Sequence, residues 1–163
     1  MKNRFMTLAA VLSFLTFAAC KHTQKTSGDT GATGEGLVTV MSVPATVKTG
    51  YPVMLKFTVY NKSGKELQFC KWHTPFEGFI SSFLDIQSSN NTEVLYRGAM
   101  AKRIMPPPAE AYIKVPAGKS VSVDIDLLKG YNLSAPATYK AVYQASGMSG
   151  LEKVNEITFT VTE

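Results

Sequence analysis

From Leu37 onward, hydrophobic and polar residues alternate along most of the chain with a period of two, the pattern of half-buried strands. Leu37, Thr39 and Met41 alternate with Val38, Val40 and Ser42. Val53, Leu55, Phe57 and Val59 make an inward set, with Met54, Lys56, Thr58 and Tyr60 opposite. The cluster Asn61-Lys62-Ser63-Gly64-Lys65 reads as a turn into a third strand, 66–72. Further strands are predicted at 83–87, 93–97, 112–115, 120–127, 138–144 and 155–161, with a Pro-Ala-Gly turn at 116–118. No long stretch of this region carries a helical period of 3.6. Many short strands separated by turn signals predict an all-β fold, an immunoglobulin-like antiparallel β-sandwich. Tyr139 heads a late strand just after the turn Ser134-Ala135-Pro136-Ala137, the position of a structural tyrosine corner.

Ahead of this region the pattern changes. Lys2 and Arg4 precede an apolar run of 14 residues, 6–19, too short for the roughly 20 that span a bilayer as a helix, so 1–19 reads as a secretory leader. Phe17-Ala18-Ala19-Cys20 resembles a bacterial lipobox, with Phe17 in place of the usual leucine. That resemblance implies a lipoprotein signal peptide, acylation (palmitate) of Cys20 and a membrane held through the lipid. Lys21 follows instead of Asp, which by the same resemblance favours the outer membrane. Residues 20–36, the lipidated cysteine and a segment rich in Gly, Ser and Thr without a large apolar side chain, form a flexible linker. Residues 37–163 are the folded domain.

Composition narrows the function. A chain of 163 residues with 45% apolar and 18% charged residues accommodates one ordinary globular domain. Its formal charge of +5 falls to +3 without Lys2 and Arg4, too mild and scattered to argue for nucleic acid. Two cysteines and two histidines exclude a multi-disulfide scaffold and a His-rich metal centre.

The most distinctive segment is Cys70-Lys71-Trp72-His73-Thr74-Pro75-Phe76-Glu77-Gly78. Together with Arg97-Gly98, Lys102-Arg103, Ala109-Glu110-Ala111-Tyr112, Pro116-Ala117-Gly118-Lys119-Ser120 and the Tyr139 corner, it resembles the N-terminal immunoglobulin-like prodomain of bacterial deuterolysin-like and peptidyl-Lys metalloendopeptidases. In that family a zinc domain with a His-Glu-x-x-His helix follows. The only histidines here are His22 and His73, so no catalytic residue and no enzyme are expected. The resemblance implies a non-catalytic module whose partner is a secreted metalloendopeptidase, inhibited or chaperoned in trans, or another envelope protein.

Two readings of the signature loop stay open. Pro75 fixes its own φ and biases Thr74 toward β, while Gly78 permits a tight exit. Trp72 then belongs to the core, with Glu77 bonding backbone amides; alternatively Trp72, Thr74, Pro75, Glu77 and Gly78 join Lys102 and Arg103 as a partner-binding surface. Residues 99–109, with Pro106, Pro107 and Pro108, are a rigid connection or, through Met100, Ile104 and Met105, a contact patch. Cys70, His73, Met100 and Met105 are soft donors suited to Cu(I), a copper or redox alternative. One histidine falls short of a cupredoxin set, so neither metal nor cofactor is expected. With Cys20 acylated, Cys70 has no disulfide partner; alternation in 66–72 puts it on the face of Trp72 and favours burial. Asp124 and Asp126 share one face of a strand as its solvated side.

Overall fold

The computed structural model of the chain describes residues 36–163; the leader, Cys20 and the linker up to residue 35 lie outside the described residues. Nine strands run β1 (Leu37–Ser42), β2 (Thr46–Lys48), β3 (Met54–Asn61), β4 (Leu67–Cys70), β5 (Leu84–Ser88), β6 (Tyr112–Val115), β7 (Ser120–Asp126), β8 (Ala137–Tyr143) and β9 (Ile157–Thr162). One short helix, α1 (Ser146–Ser149), and three 3₁₀ turns complete the described residues, so the fold is all-β. Three sheets form, ordered β1-β3-β7, β2-β9-β8-β5 and β4-β6. Every pairing is antiparallel except β2 with β9.

The alternation sets the register. Leu55, Phe57 and Val59 of β3 are fully buried and share one core with Leu37 and Met41 of β1, Ile86 of β5, Tyr139 and Ala141 of β8, and Phe159 of β9. Between β1 and β2 the chain leaves one sheet for another at Pro44, which has no N–H to give to a ladder. The pairing of β3 with β7 resumes beyond a bend as the pairing of β4 with β6. Buried Asn61 holds that bend, its amide donating to the carbonyls of Lys65 at 2.7 Å and Val115 at 2.8 Å.

Several expectations need correction. No strand forms at 93–97: after the turn at Asn91 (φ 58°) the chain makes only the single bridges Gln87↔Glu93 and Tyr96↔Tyr131, then is drawn away as Arg97 N–H bonds Gly130 O. The third strand stops at Cys70: Lys71 N–H makes one last in-register bond, to Ala111 O, and the chain then turns at His73, which adopts φ 54°. The last strand begins at Ile157, the Asn155 side chain being spent on the backbone of Met41. Thr58, placed on the outer set, is buried. β2 and α1, of three and four residues, are too short to carry a period.

The buried phenols set an alkaline limit. Burial pushes the hydroxyls of Tyr131, Tyr139 and Tyr143 above the usual tyrosine range, and partial burial takes that of half-buried Tyr96 up to about 12. A raised folded value favours the neutral phenol, so this stability is complete below the unfolded value near 10 and is lost as pH climbs through the folded values. Urea midpoints should hold steady from pH 7 to about 9.5 and fall steeply between about 10 and 12. A midpoint flat to pH 12 would contradict the buried, protonated phenols.

Candidate functional site

The signature loop is built by local chemistry. Thr74 is the N-cap of the 3₁₀ turn Pro75–Glu77: its Oγ1 accepts from Phe76 N–H at 3.2 Å and donates to Lys71 O at 2.6 Å. Pro75 occupies the first position, where no N–H is required. Glu77, three residues after the cap, reaches back to accept from His73 N–H at 2.7 Å, a variant of the capping box. Gly78 closes the turn at φ 74°, a left-handed conformation that other side chains resist. His73 O accepts from Tyr143 Oη at 3.2 Å, and Tyr143 Oη also bonds Ser149 Oγ at 2.7 Å.

Onto this turn comes Arg103, 26 residues away in sequence. Its Nη2 donates to both carboxylate oxygens of Glu77, at 2.7 and 2.6 Å, and its guanidinium sits 4.8 Å from the centre of the Trp72 ring. The Glu77 side chain is only 3% exposed and that of Arg103 16%, so this is a buried ion pair under an aromatic roof. Arg103 Nε is buried with no partner among the described residues. Trp72, Cys70 and Ala111 form a small apolar cluster, flanked by Tyr112 and Met148. Burial pushes the Cys70 thiol up, opposed by the hydrogen bond from Trp72 N–H.

The structure thus gathers Trp72, Thr74, Pro75, Glu77, Gly78 and Arg103 into one interior brace. Lys102 turns outward and is exposed. Tyr139 lies apart, its Oη donating to Ala135 O at 2.7 Å and its ring stacked on Phe159.

What the brace supports is an apolar tip. Met100, Ile104 and Met105 are 73%, 83% and 62% exposed, and Leu95 is 67% exposed beside them in sequence. The segment is pinned from below by Arg97 N–H to Gly130 O, Ala99 N–H to Phe79 O and Ala101 N–H to Ile80 O, at 2.8 to 2.9 Å. Sequence reasoning passed over Gly130, where any Cβ would overlap the Phe79 ring, and Leu95, which lay in the expected strand. Neither carries a periodic signal.

The soft donors do not share one environment: Cys70 is buried, His73 Nδ1 lies 3.2 Å from Ser82 O, and Met100 and Met105 are exposed on the tip. Among the described residues no three His, Cys, Asp or Glu side chains gather as a metal site. Asp124 is exposed as expected, whereas Asp126 is partly enclosed, accepting from Val53 N–H and Leu128 N–H at 3.1 Å each.

No protein-family model matches the chain. It is 27% identical over 113 residues to an uncharacterized secreted protein of Arthroderma benhamiae, across 68% of this chain and 58% of that protein. Among solved structures, the Pseudomonas fluorescens alkylpurine DNA glycosylase AlkC bound to abasic-site DNA aligns with TM-score 0.41 and 12% identity, over 78% of this chain and 31% of its own. A Listeria innocua beta-glucosidase in complex with gluconolactone aligns with TM-score 0.39 and 14% identity, over 78% of this chain and 16% of its own. The chain therefore spans just over half of the secreted relative and a third or less of these structures.

Proposed function

We propose that this chain is a membrane-anchored, non-catalytic binding lipoprotein that acts in trans on a secreted metalloendopeptidase, as inhibitor or chaperone. In this reading Cys20 carries the lipid, 20–36 space the domain from the outer membrane, and 37–163 form an immunoglobulin-like β-sandwich akin to a peptidase prodomain. The strand order supports that architecture: β1, β3 and β7 in one sheet and β5, β8 and β9 in another match the A-B-E and C-F-G sets of such domains. The description of the fungal relative as secreted accords with an extracytoplasmic location.

The observation that carries a binding role is the braced apolar tip. Exposed Met100, Ile104 and Met105 concentrate apolar surface in six residues, where a monomer in water gains nothing from it. Rigid support by the Arg103–Glu77 pair lowers the ordering entropy that docking would otherwise cost.

The test is capture. Immobilised full chain should retain a metalloendopeptidase from envelope and secreted fractions and slow a deuterolysin-like enzyme. Ile104→Asp with Met105→Asp should reduce retention at least tenfold, while stability shifts by less than about 1 kcal/mol, as for other exposed positions. Retention of an unrelated envelope protein through the same tip would favour a general interaction lipoprotein. No peptidase retained and no inhibition would sink the peptidase reading.

A further inference from the structure

The open edge of β7 points to a second docking site, independent of the tip: we infer that β7 accepts an extended strand from a partner protein. Sheet edges are normally blunted or covered, because a free row of N–H and C=O groups templates new pairing. The other long edges here are treated in that way. β1 is covered by Thr39 N–H to Lys153 O and by the Asn155 side chain on both backbone groups of Met41. β5 is covered by Ser88 N–H to Thr92 O and Val94 N–H to Ile86 O. β2 is an edge of only three residues, and β4 and β6, the two edges of their own sheet, have four each.

β7 differs. It ends its sheet, and its seven residues pair in unbroken register with β3 from Met54↔Asp126 to Tyr60↔Ser120. Leu127 N–H bonds Val53 O and Asn61 N–H bonds Lys119 O, so the odd-numbered residues face β3. The backbones of Ser120, Ser122 and Asp124 therefore point away, and no backbone partner meets them among the described residues. The 3₁₀ turn Pro75–Glu77 packs close to β7, but the nearby N–H groups of Glu77 and Gly78 are spent on Thr74 O and Pro75 O.

Two features specify the occupant. Val121, Val123 and Ile125 are only half-buried, while their β3 neighbours Leu55, Phe57 and Val59 are fully buried; a strand with apolar residues at alternate positions would complete this cover. At the far end an open depression of about 570 Å³, lined by Met54, Phe79 and Ile125 and also by Asp124, Asp126 and Lys129, leaves room for one of those side chains. Asp124 is exposed; Lys56 stands opposite it on β3 but makes no ion pair with it among the described residues, so a strand on the free side of β7 fits best with Lys or Arg opposite the carboxylate. A second copy of β7 fits poorly, because its sequence, SVSVDID, brings carboxylates and no cation to the seam.

The probe is a soluble synthetic peptide alternating Val with Thr around one central Lys, added to the full chain and followed by amide exchange and fluorescence anisotropy. The amides of Ser120, Ser122 and Asp124 should gain at least tenfold protection on binding. Asp124→Asn should weaken the Lys peptide several-fold and leave a Gln version unchanged. Ser122→Pro removes an outward N–H without touching the β3 ladder and should reduce binding at least tenfold. Should that variant not fold, the Asp124 comparison and the protection pattern decide alone. No binding at millimolar peptide, protection elsewhere, or sedimentation showing the edge already closed by a second copy would each overturn the proposal.

Discussion

Replacing Arg103 by methionine is expected to lower unfolding free energy by about 3–5 kcal/mol in urea melts, the usual cost of removing one member of a buried ion pair. The Glu77 carboxylate, almost sealed from solvent, would keep only the His73 N–H of its charge-assisted bonds. Domains are stable by about 5–15 kcal/mol, so the loss would be a large share of the whole. Glu77→Gln should cost less, because the substituted amide oxygen still accepts from His73 N–H and the more exposed Arg103 can bend its stem toward water. The double variant Arg103→Met/Glu77→Gln should then recover more than about 1 kcal/mol over Arg103→Met alone, a coupling that neighbours in one network show. Lys102→Met, beside it in sequence but exposed, should change stability by less than about 0.5 kcal/mol. A cost below about 1 kcal/mol for Arg103→Met would mean that the pair is solvated and braces nothing.

That contrast marks where sequence reasoning reaches and where it stops. The inward set Leu55, Phe57, Val59 was legible because a strand's side chains alternate whatever it pairs with. The parts of the signature turn were also legible: Thr74 as a cap, Pro75 at the first position and Gly78 at the exit act within a few residues of one another. The partnership of Glu77 with Arg103 was not, since nothing local distinguishes Arg103 from Lys102; tertiary placement decides which cation turns inward. Segment 93–97 misled for the same reason. Its Val94, Tyr96 alternation is real and both side chains pack on the core, but the backbone is claimed by Gly130 and Tyr131 before a ladder can extend. Thr58 is buried on a face that alternation assigns to solvent, because it is a small side chain on the central strand, flanked by Val40 of β1 and Ser122 of β7.

Tyr131 was equally silent in sequence, and its replacement by phenylalanine should nonetheless cost about 2–4 kcal/mol. Its phenol oxygen accepts two backbone N–H groups, from Phe83 at 3.2 Å and Leu84 at 2.9 Å, where the chain enters β5. All three residues are buried, so removing the oxygen strands two donors away from water, each worth about 1–3 kcal/mol, while the ring and its edge contacts with Phe79, Phe83 and Tyr96 remain. Packing loss is thereby separated from hydrogen-bond loss. Tyr96→Phe supplies the comparison: its half-buried hydroxyl donates to the carbonyl of exposed Ala99, an acceptor that water can reach, and the cost should stay below about 1 kcal/mol. Tyr131→Phe should also speed amide exchange at Phe83 and Leu84 and flatten part of the stability loss above pH 10, since one buried phenol no longer resists ionisation. Equal costs for the two tyrosines, or unchanged exchange at Leu84, would show that the phenol oxygen of Tyr131 does not hold the start of β5.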